Sequence, residues 1–190
     1  LAVFYGTSAF ANAGLAPDFW NQTRGYRNYG VVYGFFGNTK YLYMSAPDGY
    51  DADEIEGFVG HIEDDGESTV QPDIICIMNE SLSDLSVLGD LQINEPCLPF
   101  ISSLQENTVR GNLYVPVIGA GTANTEFEFL TGHSMAFLPS GSSAYMLYVK
   151  DKQPSLARLL AAQGYTVRAQ HPYYARGWNR PTVYPLLGLS

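Results

Sequence analysis

Asp73-Ile74-Ile75-Cys76-Ile77-Met78 is a continuous run rich in β-branched residues, and it ends on Asn79-Glu80-Ser81. A run apolar at every position, not at alternate ones, predicts a strand buried on both faces. Within it, Cys76 reads as a small buried hydrophobe. Working outward, Val109 to Val117 is a second strand candidate and Tyr165 to Gln170 a third. Helices are expected between them. Pro96 to Asn107 carries Leu98, Ile101 and Leu104 on one face. Thr122 to Leu130 follows a glycine-rich turn, and Pro154 to Gln163 spaces Leu156, Leu159 and Leu160 before Gly164. Strands separated by helices imply right-handed crossovers, so the expected fold is α/β, a mostly parallel sheet flanked by helices.

Upstream, residues 1 to about 70 read as irregular, with aromatic and glycine residues interleaved in Trp20 to Phe36. Asp51 to Val59 is expected to form a short helix with an acidic start, and Asp64 to Ser68 a polar linker. The chain starts with Leu1 and not Met, and reads as a fragment. No basic region precedes the first apolar residues, so no complete signal peptide is visible. No stretch reaches the ~20 apolar residues of a membrane span.

The bulk numbers bound the function. The chain has 190 residues, room for one ordinary domain with a core. Ten basic against 19 acidic side chains give a net charge of −9, which argues against a nucleic-acid partner held by phosphate neutralisation. With 46% hydrophobic and 15% charged residues the chain is not intrinsically disordered. Fourteen tyrosines suit a surface that is wet on one side and apolar on the other, as at a membrane interface or a sugar-binding face. Two cysteines exclude a disulfide framework and a four-cysteine zinc site.

In an open α/β sheet, ligands bind beyond the carboxyl ends of the strands. Three polar groups fall there. Glu80 follows the first strand, as a hard-cation ligand or as a loop or capping carboxylate. Thr122 follows Gly119-Ala120-Gly121 at the start of a helix, where N–H groups and the dipole favour phosphate. It is either a nucleophile or an ordinary N-cap, with Thr125 or Glu126 reaching back. His171, Trp178 and Arg180 follow the third strand, forming either an oxyanion-binding loop or a surface loop with a packed Trp. Cys97-Leu98-Pro99-Phe100-Ile101 begins like the sulfatase activation motif, but Ile101 stands where that motif needs Arg, so Cys97 is not a formylglycine precursor.

Together, Asp73 to Ser81, Gly121 to Phe127 and His171 to Arg180 resemble the lipoteichoic acid synthase-like phosphoglycerol transferases, in the sulfatase branch of the alkaline phosphatase superfamily. The resemblance implies an alkaline phosphatase-like α/β domain over 71–190, truncated on its C-terminal side, after a juxtamembrane linker over 1–70. It implies Thr122 as the nucleophile that carries glycerophosphate, and His171, Trp178 and Arg180 as head-group ligands. Glu80 and Thr122 would contact a divalent metal, Mn²⁺ or else Mg²⁺. The implied donor is an anionic phospholipid of the phosphatidylglycerol type, and the acceptor a cell-envelope polymer. The domain would sit on the extracellular side of the cell membrane, tethered by upstream helices. An Asp-His metal pair expected downstream is not in this chain, so the chain alone is expected to be inactive. A phosphoethanolamine transferase, or a phosphodiester or sulfate-ester hydrolase, would share the nucleophile. A catalytically silent, membrane-tethered ectodomain that binds wall polymer is the reading from another class.

Overall fold

The computed structural model describes residues 22–42, 44, 46–59, 70–90, 92–118 and 120–190. His61, Trp20, Gly119 and the Asp64–Ser68 linker lie outside the described residues. Eight α-helices are present among the described residues: α1 Gln22–Tyr29, α2 Val31–Asn38, α3 Ala52–Val59, α4 Pro99–Ser103, α5 Thr122–Thr131, α6 Ala144–Leu147, α7 Leu156–Ala162 and α8 Arg180–Leu187. None of them is long and apolar enough to cross a membrane.

No strand forms among the described residues, so the expected parallel sheet is not formed there. Asp73–Met78, Val109–Val117 and Tyr165–Gln170 all run without a β-ladder. Among the described residues no segment pairs with these runs as a ladder neighbour. A parallel strand needs a hydrogen-bonded neighbour and helical cover on both faces. Instead Ile75 and Ile77 are 82% and 81% exposed. Cys76 is exposed too, contrary to its expected burial. In the third segment, the Ala169 N–H donates to the Ser190 carbonyl at 2.9 Å, and the Ser190 hydroxyl donates to the Val167 carbonyl at 2.8 Å. Those bonds tie the segment to the chain end. The helix expected over Pro96–Asn107 shrinks to the five residues of α4, with Pro99 in its first turn.

The chain divides into two units, residues 67–115 and residues 1–66 with 116–190. In the first, Arg110 donates to the carbonyls of Ser102 and Leu104, closing the turn after α4.

The second unit holds the core. Ala123 and Phe127 of α5 pack with Ala144 and Tyr145 of α6, Val149, and Val183 and Leu187 of α8. These positions recur at i and i+4 on α5 and α8, the spacing of one helix face. Asn124 latches α5 to α6: its side chain donates to the Ser142 carbonyl at 3.0 Å and accepts from the Ala144 N–H at 3.1 Å. Buried polar atoms need such partners, or their desolvation is uncompensated. Ser155 caps α7 by accepting from the Arg158 N–H. Arg158 in turn donates to the Pro185 and Leu186 carbonyls at the end of α8, which also accept from the Gly188 and Gln153 N–H groups.

Candidate functional site

Thr122 is the first residue of α5 and is half-buried. The turn before it is unusual. Ala120 and Gly121 both have positive φ, 62° and 85°. At Gly121 a Cβ would also lie 3.2 Å from Val117 Cγ1, so a side chain at this left-handed position would be both strained and tight. Gly121 therefore occupies the N-cap without a side-chain cap bond, and Thr122 is not the capping residue. The Asn124 N–H donates to the Gly121 carbonyl at 2.8 Å, which tightens the helix start.

Glu126 stands four residues after Thr122, hence on the same helix face and about 6 Å along the axis. It does not reach back to the helix start. Its Oε2 accepts from Arg180 Nη2 at 3.1 Å and its Oε1 from the Tyr145 hydroxyl at 3.1 Å. The pair is buried, with side-chain exposures of 6% for Arg180 and 14% for Glu126. Arg180 also donates from Nε to the Tyr184 hydroxyl at 2.9 Å and from Nη1 to the Gly177 carbonyl at 3.3 Å. A guanidinium has five N–H groups, so these three bonds do not exhaust it.

The loop that delivers Arg180 is strained. Trp178 and Asn179 both lie in the left-handed region, at φ 57° and 59°. For non-glycine residues that costs on the order of 1–3 kcal/mol each, and such positions cluster at functional sites. The Trp178 side chain packs against the core, and Asn179 Nδ2 donates to the Tyr145 carbonyl at 3.4 Å. Both contacts hold the strained turn in place.

The structure thus brings Trp178 and Arg180 to the helix that begins at Thr122. His171 is exposed and hydrogen-bonds within its own loop, its Nδ1 accepting from the Tyr173 N–H at 3.1 Å. Glu80 is exposed in the other unit, in a turn closed by the Leu82 N–H on the Asn79 carbonyl at 3.4 Å. Among the described residues no three His, Cys, Asp or Glu side chains gather into a group that could hold a metal ion. A hard cation takes about six or more oxygen ligands, so the described residues do not by themselves make a metal site. His133 sets its ring 5.8 Å from that of Phe127 and reads as structural.

Sequence reasoning missed Glu126 as an ion-pair partner, together with Tyr145 and Tyr184. The available signal was the four-residue spacing from Thr122. These groups shape the local electrostatics. Burial raises the Tyr145 hydroxyl far above its usual value, and the neighbouring Glu126 carboxylate adds to it. Tyr184 is pushed up to about 12 by burial and by Glu126, against the opposing charge of Arg180. Burial disfavours the charge on Arg180, but Glu126 and Tyr184 outweigh it and hold its pKa above the usual value.

The two tyrosines predict an alkaline weakness. Both keep their protons more tightly folded than unfolded, so the unfolded chain releases protons first as pH passes its ordinary tyrosine value of 10.0. The contribution of each is therefore complete below that value; that of Tyr184 is lost as pH rises through about 12, and that of Tyr145 goes on falling above it. Thermal midpoints measured from about pH 9 to about pH 12 should fall, and Tyr145→Phe should flatten the fall. An unchanged slope in Tyr145→Phe would show that this hydroxyl is not linked to folding.

The sulfatase family model matches residues 72–190. A protein of Rhizobium meliloti (strain 1021), named for cyclic beta-1,2-glucan modification, is 39% identical over 177 residues, 93% of this chain and 27% of that protein. The chain therefore spans about a quarter of that relative's length. No solved structure matches it.

Proposed function

The chain belongs to the sulfatase family, in the alkaline phosphatase superfamily, and from that premise we propose that it carries the nucleophile and anion-binding loop of a phosphoglycerol transferase of the lipoteichoic acid synthase-like kind. The observation that carries the reading is Thr122 at the head of α5, one turn from a carboxylate that clamps Arg180. The donor is an anionic phospholipid of the phosphatidylglycerol type, met on the extracellular side of the cell membrane. The acceptor is a hydroxyl of a cell-envelope glucan, a choice supported by the name of the Rhizobium meliloti relative.

In the first step the Thr122 oxygen bonds to the donor phosphorus and the bond from phosphorus to the diacylglycerol oxygen breaks. The threonine proton ends on that leaving oxygen. In the second step a glucan hydroxyl oxygen bonds to phosphorus, the bond to Thr122 breaks, and the acceptor's proton returns to Thr122. The head of α5 offers N–H groups and a positive dipole end to the phosphoryl oxygens. Arg180 contributes a fixed positive charge that Glu126 orients, and His171 and Trp178 flank the glycerol. Enzymes of this superfamily generally use a divalent metal ion, which stabilises charge on phosphoryl oxygens. Mn²⁺, or else Mg²⁺, is our choice, with Glu80 and Thr122 each a proposed ligand.

The test is covalent trapping. The natural protein incubated with phosphatidylglycerol, in separate Mn²⁺ and Mg²⁺ arms, should gain one glycerophosphate on the peptide that contains Thr122, as read by mass spectrometry. Added glucan should discharge it to the sugar. A phosphoethanolamine adduct from phosphatidylethanolamine, or discharge to water alone, would replace the donor or the acceptor in this reading. A label on another residue would overturn it.

A further inference from the structure

We propose that Tyr173 and Tyr174 form a stacking platform for the glucan acceptor, beside the Arg180 guanidinium. The acceptor class rests on the proposed function; the platform is built by the loop from His171 to Asn179. Both rings stand in solvent, Tyr173 68% and Tyr174 75% exposed. They meet edge to face, with centroids 4.8 Å apart and planes at 71°. That contact covers at most one ring face and braces both rings against each other. Short hydrogen-bonded turns hold the loop. The Tyr173 N–H donates to His171 Nδ1 at 3.1 Å, and the Gly177 N–H donates to the Tyr174 carbonyl at 2.9 Å.

Gly177 sets the platform next to the anion clamp. A Cβ on Gly177 would lie 3.8 Å from Tyr173 Cδ1 and 3.6 Å from Arg180 Nη1. Ring and guanidinium are therefore separated by no more than those two distances laid end to end. Arg180 Nη1 also donates to the Gly177 carbonyl at 3.3 Å, so the two parts share one turn. The chemistry of the loop selects a sugar. A pyranose offers C–H groups on its faces and hydroxyls around its edge. Aromatic faces suit the first, and the tyrosine hydroxyls with the exposed Arg176 guanidinium suit the second. From His171 to Asn179 there is no Leu, Ile, Val, Phe or Met, and Trp178 packs against the core. The loop thus lacks the apolar side chains by which a membrane-binding surface enters the acyl region. A glucan unit stacked on Tyr173 would present its hydroxyls toward the phosphoryl group that Arg180 binds in the proposed function.

Glucan binding is read without lipid donor, so it is independent of turnover at Thr122. Calorimetric titration of the natural protein with a neutral β-1,2-linked glucan should show binding. Tyr173→Ala combined with Tyr174→Ala should weaken it at least about tenfold. Tyr173→Phe combined with Tyr174→Phe should keep most of it, because the ring faces remain. In the transfer assay the alanine pair should raise KM for glucan and leave lipid-dependent labelling of Thr122 unchanged. Both positions are exposed, and circular dichroism should show unchanged helix content in both pairs. Glucan affinity lost in the alanine pair supports the platform whether or not Thr122 becomes labelled. Normal labelling with glucan affinity unchanged in that pair would overturn the platform and leave the proposed function standing. No glucan binding by the wild type, or a phenylalanine pair as weak as the alanine pair, would also overturn it. Binding to phosphatidylglycerol vesicles that the alanine pair abolishes, with glucan affinity unchanged, would make a bilayer the occupant.

Discussion

Thr122→Ala in the natural protein should reduce transfer by at least about 1,000-fold, the scale on which loss of a covalent nucleophile acts. Thr122→Ser should keep a measurable fraction, because it retains the hydroxyl that bonds to phosphorus. The fold should tolerate both changes. Gly121, not Thr122, occupies the N-cap and makes no side-chain cap bond, so the usual capping loss does not apply. Alanine has a better intrinsic helix propensity than threonine. The α5 core positions are Ala123 and Phe127, on the neighbouring face. Stability should therefore change by about 1 kcal/mol or less. Turnover and thermal midpoint measured side by side separate the possibilities. Full activity in Thr122→Ala would remove it as nucleophile. A large drop in midpoint alongside lost activity would make its role structural.

What could be read from the chain follows from which forces are local. The helix from Thr122 was legible because Gly119-Ala120-Gly121 breaks the chain and the apolar spacing then starts. The helix expected over Pro154–Gln163 was found as Leu156–Ala162, started by the Ser155 cap. By contrast α1 and α2 were hidden by Gly25, Gly30, Gly34 and Gly37, residues that read as breaks. One of those glycines, Gly34, is where a Cβ would strike the Tyr26 ring of the neighbouring helix. The last helix was hidden by Pro181 and Pro185, although Pro181 sits in its first turn, where its missing N–H costs nothing. The sulfatase match over 72–190 implies an alkaline phosphatase-like α/β domain, but the strands are not formed among the described residues, for a different reason. An apolar run reports how much burial a segment would gain, not whether a partner is there to pair with it. The site divides in the same way. Thr122 and its glycine turn are local and were readable. The Glu126–Arg180 pair joins residues 54 positions apart, and no periodicity encodes that contact.

That pair gives the second large effect. Glu126→Ala should destabilise the fold by about 3–5 kcal/mol, because it leaves a buried guanidinium without its counter-charge. It also strips the acceptor from the Tyr145 hydroxyl, itself on a fully buried residue. Against a total stability of about 5–15 kcal/mol, such a loss would populate the unfolded chain at moderate temperature. Arg180→Lys should also cost heavily, since one ammonium cannot bond Glu126, the Tyr184 hydroxyl and the Gly177 carbonyl from the same geometry. Removing both charges is the informative case. Glu126→Gln with Arg180→Met leaves no isolated buried charge, so the double variant should be more stable than the sum of its singles predicts. Urea unfolding of the four proteins supplies the coupling, expected at about 1–3 kcal/mol. If each single variant costs under about 1 kcal/mol and the two add, the bridge behaves as an exposed pair and does not fasten the Arg180 loop to the Thr122 helix. If the coupling is large, the two strained residues before Arg180 are held by that bond. The loop would then be set in place before any substrate arrives, as an anion-binding site needs if it is not to spend binding energy on ordering itself.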